Sequence, residues 1–242
     1  MTAALRGDET SSRLIPEHKT GVKLTNITFA QLNAKYRNGI DGHYTPQGCA
    51  GRDKTAIIIP FRDRHQNLTV LINNLIPILK YRNKDFTIFV IEQDLDTTFN
   101  KAILMNAGFM EAMKQDYFTC FIFHDVDYIP ETQNVPYECL LNRSYHLAAA
   151  VSAFNYTDRL KFAGGVMTMA PHLFQAINGY SNLYFGWGFE DNDMYRRQRL
   201  YWKGIERAGY DGLNSLKYTV VKTTTMPICT WKRISFNASY YV

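Results

Sequence analysis

The chain has 242 residues, of which 46% are apolar and 20% charged, enough for one sizeable domain and too apolar for wholesale disorder. Its net charge of +5 is spread along the sequence, which argues against a dedicated nucleic-acid arm and makes nucleic acid an unexpected partner. No apolar run approaches the ~18 residues that a membrane-spanning helix needs.

Residues 1–50 read as a polar lead-in, stem-like and partly ordered, ending in a turn around Gly39, Gly42, Pro46, Gly48 and Gly51. The β-branched run Lys54–Pro60 predicts a buried strand stopped by proline. Leu68, Leu71, Ile72, Leu75, Ile78 and Leu79 recur at helical spacing and predict a helix over Asn67–Tyr81. Phe86–Ile91 is a second predicted strand, Asn100–Lys114 a second helix and Phe118–Phe123 a third strand. Strand and helix alternate through this half, which predicts a parallel sheet with crossover helices, a Rossmann-like arrangement. The second half is more mixed. Strands are expected over Tyr145–Phe154, Phe162–Met169, Leu216–Val221 and Ile228–Phe236, with a short helix over Pro171–Asn178 closed by Gly179. Between them the glycine-aromatic run Leu183–Phe189 leads into the acidic helix start Glu190–Asp193.

The four cysteines, Cys49, Cys120, Cys139 and Cys229, contain no C-x-x-C pair, so neither a zinc ribbon nor a thioredoxin-type site is expected. Five N-x-S/T triplets begin at Asn26, Asn67, Asn142, Asn155 and Asn237 and lean toward a secretory compartment. Met1–Glu17 has no basic segment followed by an apolar core, so it reads as neither signal peptide nor anchor.

Ligands of open α/β sheets bind beyond the carboxyl ends of the strands, and three motifs lie there. Pro60-Phe-Arg-Asp-Arg64 carries two guanidinium forks suited to diphosphate oxygens, with Phe61 available to pack on a base; the bland reading is a surface salt-bridge loop. Asp125-Val-Asp127 offers hard oxygen ligands for Mg²⁺ or Mn²⁺ at a turning strand end, although a D-x-D alone is common. In Phe185–Asp193, Trp187 stands between two glycines, where an indole can cover the apolar face of a sugar, and Glu190 and Asp191 supply a carboxylate base; the bland reading is a helix cap beside a packed Trp. Together the three motifs describe nucleotide-sugar chemistry. A base opposite the leaving group implies a single displacement with inversion.

With these motifs in this order, the sequence resembles the β-1,4-galactosyltransferase family. The matching text is Gly42–Cys49, Ala56–Arg64, Phe99–Ala102, Phe123–Asp127, Gly164–Val166, Gly186–Asp191 and Asp211–Tyr218. The resemblance implies a GT-A-type glycosyltransferase fold with a Rossmann-like nucleotide-binding half, in the Golgi lumen and held by an N-terminal anchor in a full-length form. It implies a single catalytic domain over 51–242, with a UDP-binding half at 51–130 and an acceptor half at 131–242. By the same resemblance Pro60, Phe61, Arg62, Arg64, Phe99, Asp125, Val126 and Trp187 would contact the UDP-sugar. Asp127 would ligate Mn²⁺. Trp187, Gly188, Glu190 and Asp191 would meet the acceptor, with Asp191 the catalytic base beside Glu190. Cys120 and Cys139 would form a family disulfide, and Cys49 matches half of another; whether Cys229 pairs with it is open.

The sequence also departs from the family. No histidine follows His172, and only Met194–Tyr210 separates Asp193 from the Asp211 motif, a shortening near 199–211 where further metal ligands and an acceptor-closing loop would stand. Metal binding is therefore expected to be weakened. Set against the family, Asn192 replaces a usual aspartate and no lysine stands near Ala153 to touch the diphosphate; by the same resemblance Phe162 lies near the position that separates galactose from N-acetylgalactosamine donors, where a bulky ring would favour galactose. The leading expectation is an inverting UDP-galactose transferase acting on a terminal N-acetylglucosamine or xylose-type glycan acceptor. The second is a relative that binds UDP-sugar and cannot close on an acceptor. An NAD-dependent oxidoreductase lacks its G-x-G-x-x-G turn.

Overall fold

The computed structural model describes residues 21–46, 48, 53–94, 97–157, 163–186, 188–200 and 209–241. In chain order its elements are α1 (Phe29–Lys35), β1 (His43–Tyr44), β2 (Lys54–Phe61), α2 (His65–Tyr81), β3 (Asp85–Gln93), α3 (Lys101–Gln115), β4 (Cys120–His124), β5 (Tyr145–His146), β6 (Val166–Met169), α4 (Pro171–Ala176), α5 (Glu190–Leu200), β7 (Thr219–Met226) and β8 (Cys229–Ser235). The sheet order is β5-β6-β4-β2-β3-β8-β7, with β1 added to β3. Strands β4, β2, β3 and β8 run parallel, and β6, β5 and β7 extend the two flanks antiparallel. This is the mixed α/β sheet with a parallel core that the alternating first half predicts.

Strand period 2 sends neighbouring residues to opposite faces, so the continuous apolar runs feed two cores. Ile57, Ile59 and Phe61 of β2 pack with α2 on one face, while Ala56 and Ile58 pack with α3 on the other. Gly108 lets α3 lie close on the sheet, because a Cβ there would come within 2.3 Å of Ile58 Cγ2. Strand β2 does not stop at Pro60. It runs to Phe61, in register with β3, whereas β4 pairs only as far as Ile58, so the proline lies beyond the ladder on that side.

Several boundaries differ from the sequence expectations. The lead-in holds α1, whose N-cap Thr28 forms a capping box with Gln31, and Leu32 of α1 is fully buried. Only Tyr145–His146 of the expected strand Tyr145–Phe154 pairs, and Ser152–Phe154 is a 3₁₀ turn. Strand β7 begins at Thr219 and continues through a threonine-rich, exposed stretch to Met226. Cys120 and Cys139 are disulfide-bonded. Cys229 is a free thiol that burial pushes up to about 12. Cys49 and Phe162 lie outside the described residues.

Candidate active site

The carboxyl ends of three parallel strands supply the site. After β2 come Arg62 and Arg64, after β3 the loop to Phe99 and Lys101, and after β4 Asp125 and Asp127. Gln93, buried at the end of β3, shapes the middle loop. Its amide nitrogen donates to the carbonyls of Thr97 and Thr98 (3.3 and 3.2 Å), and its oxygen accepts from the Asn100 amide (2.9 Å). Asn100 then caps α3 through Ile103 N–H at 2.9 Å, which places Lys101 at the first helical position. Arg62 crosses to this loop, donating to Thr97 O at 2.6 Å and lying over the Phe99 ring at 5.0 Å. Arg64 instead reaches the D-x-D turn and pairs with Asp127 at 2.7 Å, both side chains about half exposed.

Lys101 is the hub of the interior side. Its ammonium lies 3.2 Å from Asp125, 2.9 Å from Glu190 and 2.9 Å from Asp191. Burial alone would lower this ammonium, but the carboxylates of Asp125, Asp191 and Glu190 outweigh it and hold Lys101 well above its ordinary value. Three carboxylates share one cation. Burial pushes Asp191 up to about 7 against the pull of Lys101, and Asp125 is raised for the same reason. The acidic pair Glu190 and Asp191 opens α5, where the positive end of the helix favours negative charge. The loop before α5 is tied to the β3–α3 loop by Gly186 N–H donating to Phe99 O at 2.8 Å.

Asp125, Asp191, Lys101, Tyr180, Gly164 and Gly165 line a narrow, closely packed crevice with no room for a water-sized body. Gly165 is required there: its φ is +75° and a Cβ would lie 2.6 Å from the Tyr128 ring. Asp125 N–H donates to its carbonyl at 2.7 Å, joining the D-x-D turn to this wall. A larger hollow of about 800 Å³ lies elsewhere, against Glu111, Lys114, Tyr218 and Tyr240. Glu111 is already held there by Lys114 (2.6 Å), Tyr218 (2.7 Å) and Lys232 (3.0 Å), so we assign that carboxylate to structure.

Some predicted residues play other parts. Phe61 is buried, its ring centroid 4.8 Å from that of Trp231 and 5.0 Å from that of His65. Pro60 and Val126 are likewise buried. Gly188 adopts φ +97°. Trp187 lies outside the described residues. His124, next to the D-x-D, is fully buried, and burial pushes it down to about 4; its Nε2 meets Tyr137 Oη at 3.1 Å.

The donor set for a divalent metal is thin. Asp127 is a half-exposed carboxylate, and Asp125 Oδ1 is buried with no hydrogen-bond partner among the described residues. No cluster of three His, Cys, Asp or Glu side chains suited to a metal occurs among the described residues. These two hard oxygen donors fit a divalent ion only if diphosphate oxygens and water complete its shell.

Lys101 is the central charge of this cluster that motif reading passes over, although it stands inside Phe99–Ala102. One signal was present: a lysine at the first position of a helix opposes the helix dipole, so its charge asks for nearby acids. Arg197 is similar. It is fully buried between Asp193 (2.7 Å) and Asp211 (3.1 Å), pinning α5 to the turn that begins at Asp211.

Comparison with known proteins bears on this geometry. The family model described as the N-terminal region of glycosyl transferase group 7 matches residues 11–140, and that described as the N-terminal domain of galactosyltransferase matches residues 145–220. The chain is 45% identical over 197 residues to a β-N-acetyl-D-glucosaminide β-1,4-N-acetylglucosaminyl-transferase of Lymnaea stagnalis, covering 80% of this chain and 39% of that protein. It is 37% identical over 195 residues to human β-1,4-galactosyltransferase 6, covering 78% and 49%. The chain thus spans less than half the length of these curated relatives. Among solved structures, the catalytic domain of Drosophila β-1,4-galactosyltransferase 7 in complex with xylobiose superposes with a TM-score of 0.67 at 25% identity, covering 76% of this chain and 94% of that one. A mutant of the same enzyme, in complex with manganese, UDP-Gal and xylobiose, gives 0.66 at 26% identity, with the same coverage.

Proposed function

Because the chain belongs to the β-1,4-galactosyltransferase family, we propose that it binds a UDP-sugar across the Arg62–Asp127 side of the cleft and transfers the sugar, with inversion, to a glycan hydroxyl activated by Asp191. The observation that carries this reading is the convergence of Asp125, Glu190 and Asp191 on Lys101, at the carboxyl ends of the parallel strands. It supports a donor side and an acceptor side that share one wall. We assign the UDP-binding half to 51–130 and the acceptor half to 131–242.

In this mechanism Arg62 and Arg64 neutralise the diphosphate as charge moves onto it. Phe99 holds the Arg62 fork in place. Asp127, with Asp125 beside it, would hold manganese, which when bound would supply Lewis-acid neutralisation of the leaving diphosphate. Asp191 takes the proton of the acceptor hydroxyl as that oxygen bonds to the anomeric carbon and the bond to the UDP oxygen breaks. A carboxylate raised toward neutrality suits that task better than an ordinary aspartate, since it accepts a proton more readily. Glu190 keeps Lys101 partly engaged, so that Asp191 can turn to the acceptor. Trp187 and Gly188 would frame the acceptor ring.

We assign galactose as the donor sugar, by likeness to the human relative and by the bulk of Phe162. The snail relative is named for N-acetylglucosamine transfer, which makes that sugar the alternative. A chain of this family acts in the Golgi lumen, and the disulfide Cys120–Cys139 suits an oxidising compartment. One observation favours the second reading, a UDP-sugar binder without transfer: Lys101 occupies both oxygens of Asp191, at 2.9 and 3.1 Å.

The test is incubation of the purified chain with Mn²⁺, an N-acetylglucosamine acceptor and, in parallel, UDP-galactose, UDP-N-acetylgalactosamine and UDP-N-acetylglucosamine, with product mass as readout. Hexose addition is expected. UDP binding without any product would support the non-transferring reading.

A further inference from the structure

None of the five N-x-S/T triplets belongs to the candidate active site, and the fold treats them unequally. At Asn67 the triplet is helical, in the first turn of α2. Residues two apart on a helix point roughly 200° apart, so Asn67 is exposed while Thr69 is buried and its hydroxyl donates to Gln66 O at 3.0 Å. The Asn26 carboxamide accepts from Gln66 at 2.6 Å, and that of Asn237 accepts from Ser239 N–H at 3.0 Å. At Asn142 the hydroxyl of Ser144 is bound to Gln198 at 2.7 Å.

The triplet Asn155-Tyr156-Thr157 differs from that at Asn67 in exposure and backbone, although its Thr157 hydroxyl, like that of Thr69, donates to the carbonyl three residues earlier. All three residues are exposed and lie in a turn that follows the 3₁₀ segment Ser152–Phe154. Asn155 has φ +49° and Tyr156 φ +55°, a left-handed bend that asparagine tolerates better than most residues. The bend curls the triplet, and the Thr157 hydroxyl folds back to Phe154 O at 2.6 Å, alongside Asn155 rather than toward another element. Phe154 and Tyr156 flank the asparagine, 46% and 41% exposed, and the Tyr156 hydroxyl donates to Glu131 at 2.6 Å, which fixes the bend.

We propose that Asn155 carries an N-linked oligosaccharide and that Asn67 stays bare. The inference rests on the reading above that places the chain in a secretory compartment. In the modification, Asn155 Nδ2 bonds to the anomeric carbon of an oligosaccharide carried on a lipid diphosphate. The bond from that carbon to the diphosphate oxygen breaks, the lipid diphosphate leaves, and the amide proton passes to a base of the transferring enzyme. The glycan projects into solvent from the turn between β5 and β6.

The experiment uses the full chain secreted from cultured eukaryotic cells behind a cleavable leader. Enzymatic deglycosylation in ¹⁸O-water converts each glycosylated asparagine to labelled aspartate, which peptide mapping locates. Label at Asn155 and none at Asn67 is expected. Thr157→Ser should keep the modification, and Thr157→Val should remove one glycan from the intact mass. An unlabelled Asn155, or a labelled Asn67, overturns the proposal. UDP titration of the same preparation reads the functional proposal separately. Label at Asn155 without UDP binding retires that proposal and keeps this one; UDP binding with a bare Asn155 does the reverse.

Discussion

Lys101 shows how one buried charge can organise a site. Its ammonium is the shared counter-ion of Asp125, Glu190 and Asp191. Lys101→Met would leave three buried carboxylates without a cation. Breaking a buried ion pair from one side costs roughly 3–5 kcal/mol, and that loss is expected in chemical denaturation at pH 8. It should shrink at pH 5, where the carboxylates can take up protons. Asp191 gives a second, opposite expectation. Its folded value of about 7 lies above the ordinary 3.8, so the folded state holds this proton more tightly than the unfolded chain does. Asp191 therefore adds stability in acid that is lost as pH rises toward about 7. Asp191→Asn should flatten the fall in melting temperature over that window, spare UDP binding and lower transfer by ~10²-fold or more. An unchanged transfer rate would remove Asp191 as the base.

At the scale of elements, hydrogen-bond accounting explains why α1 matters. Pro77 lies inside α2 and has no N–H to give to the Asn73 carbonyl four residues earlier. Tyr36, at the end of α1, donates its hydroxyl to that carbonyl at 3.3 Å. Tyr36→Phe should cost about 1–2 kcal/mol, by leaving a buried carbonyl unsatisfied, which equilibrium unfolding would measure. A change within error would mean that water fills the role. The same helix marks where sequence reading succeeds and fails. Strands β2, β3 and β4 are legible because buried parallel strands are continuous β-branched and aromatic runs. Helix α1 is short and weakly periodic, yet the Thr28–Gln31 spacing is a capping box that could have marked it. Strand β7 is exposed along most of its length, so no apolar alternation announces its full extent; pairing with β8 sets it. Tyr145–Phe154 is apolar enough for a strand, but only Tyr145 and His146 pair in register with β6; Leu147 and Ala148 share the Val166 carbonyl and the chain then turns away.

For the whole molecule, the order of motifs was legible and their mutual contacts were not. Arg64 could be assigned to a phosphate loop from its spacing, but its pairing with Asp127 spans 63 positions and is made by the parallel order of β2 and β4. The Lys101–Asp191 contact spans 90 positions and depends on α5 being pinned through Arg197 to Asp211. The fold therefore joins the arginine loop and the D-x-D turn of the first half to the acidic start of α5 in the second, across one buried lysine.

Calorimetric titration of UDP with Mn²⁺ into the purified chain tests this most directly, run beside Arg64→Ala and Asp127→Asn. The account predicts saturable binding by the wild-type chain, weakened about tenfold or more in each variant, the loss of one charge-assisted contact. Absence of binding to the wild-type chain, or equal affinity in all three proteins, would contradict it.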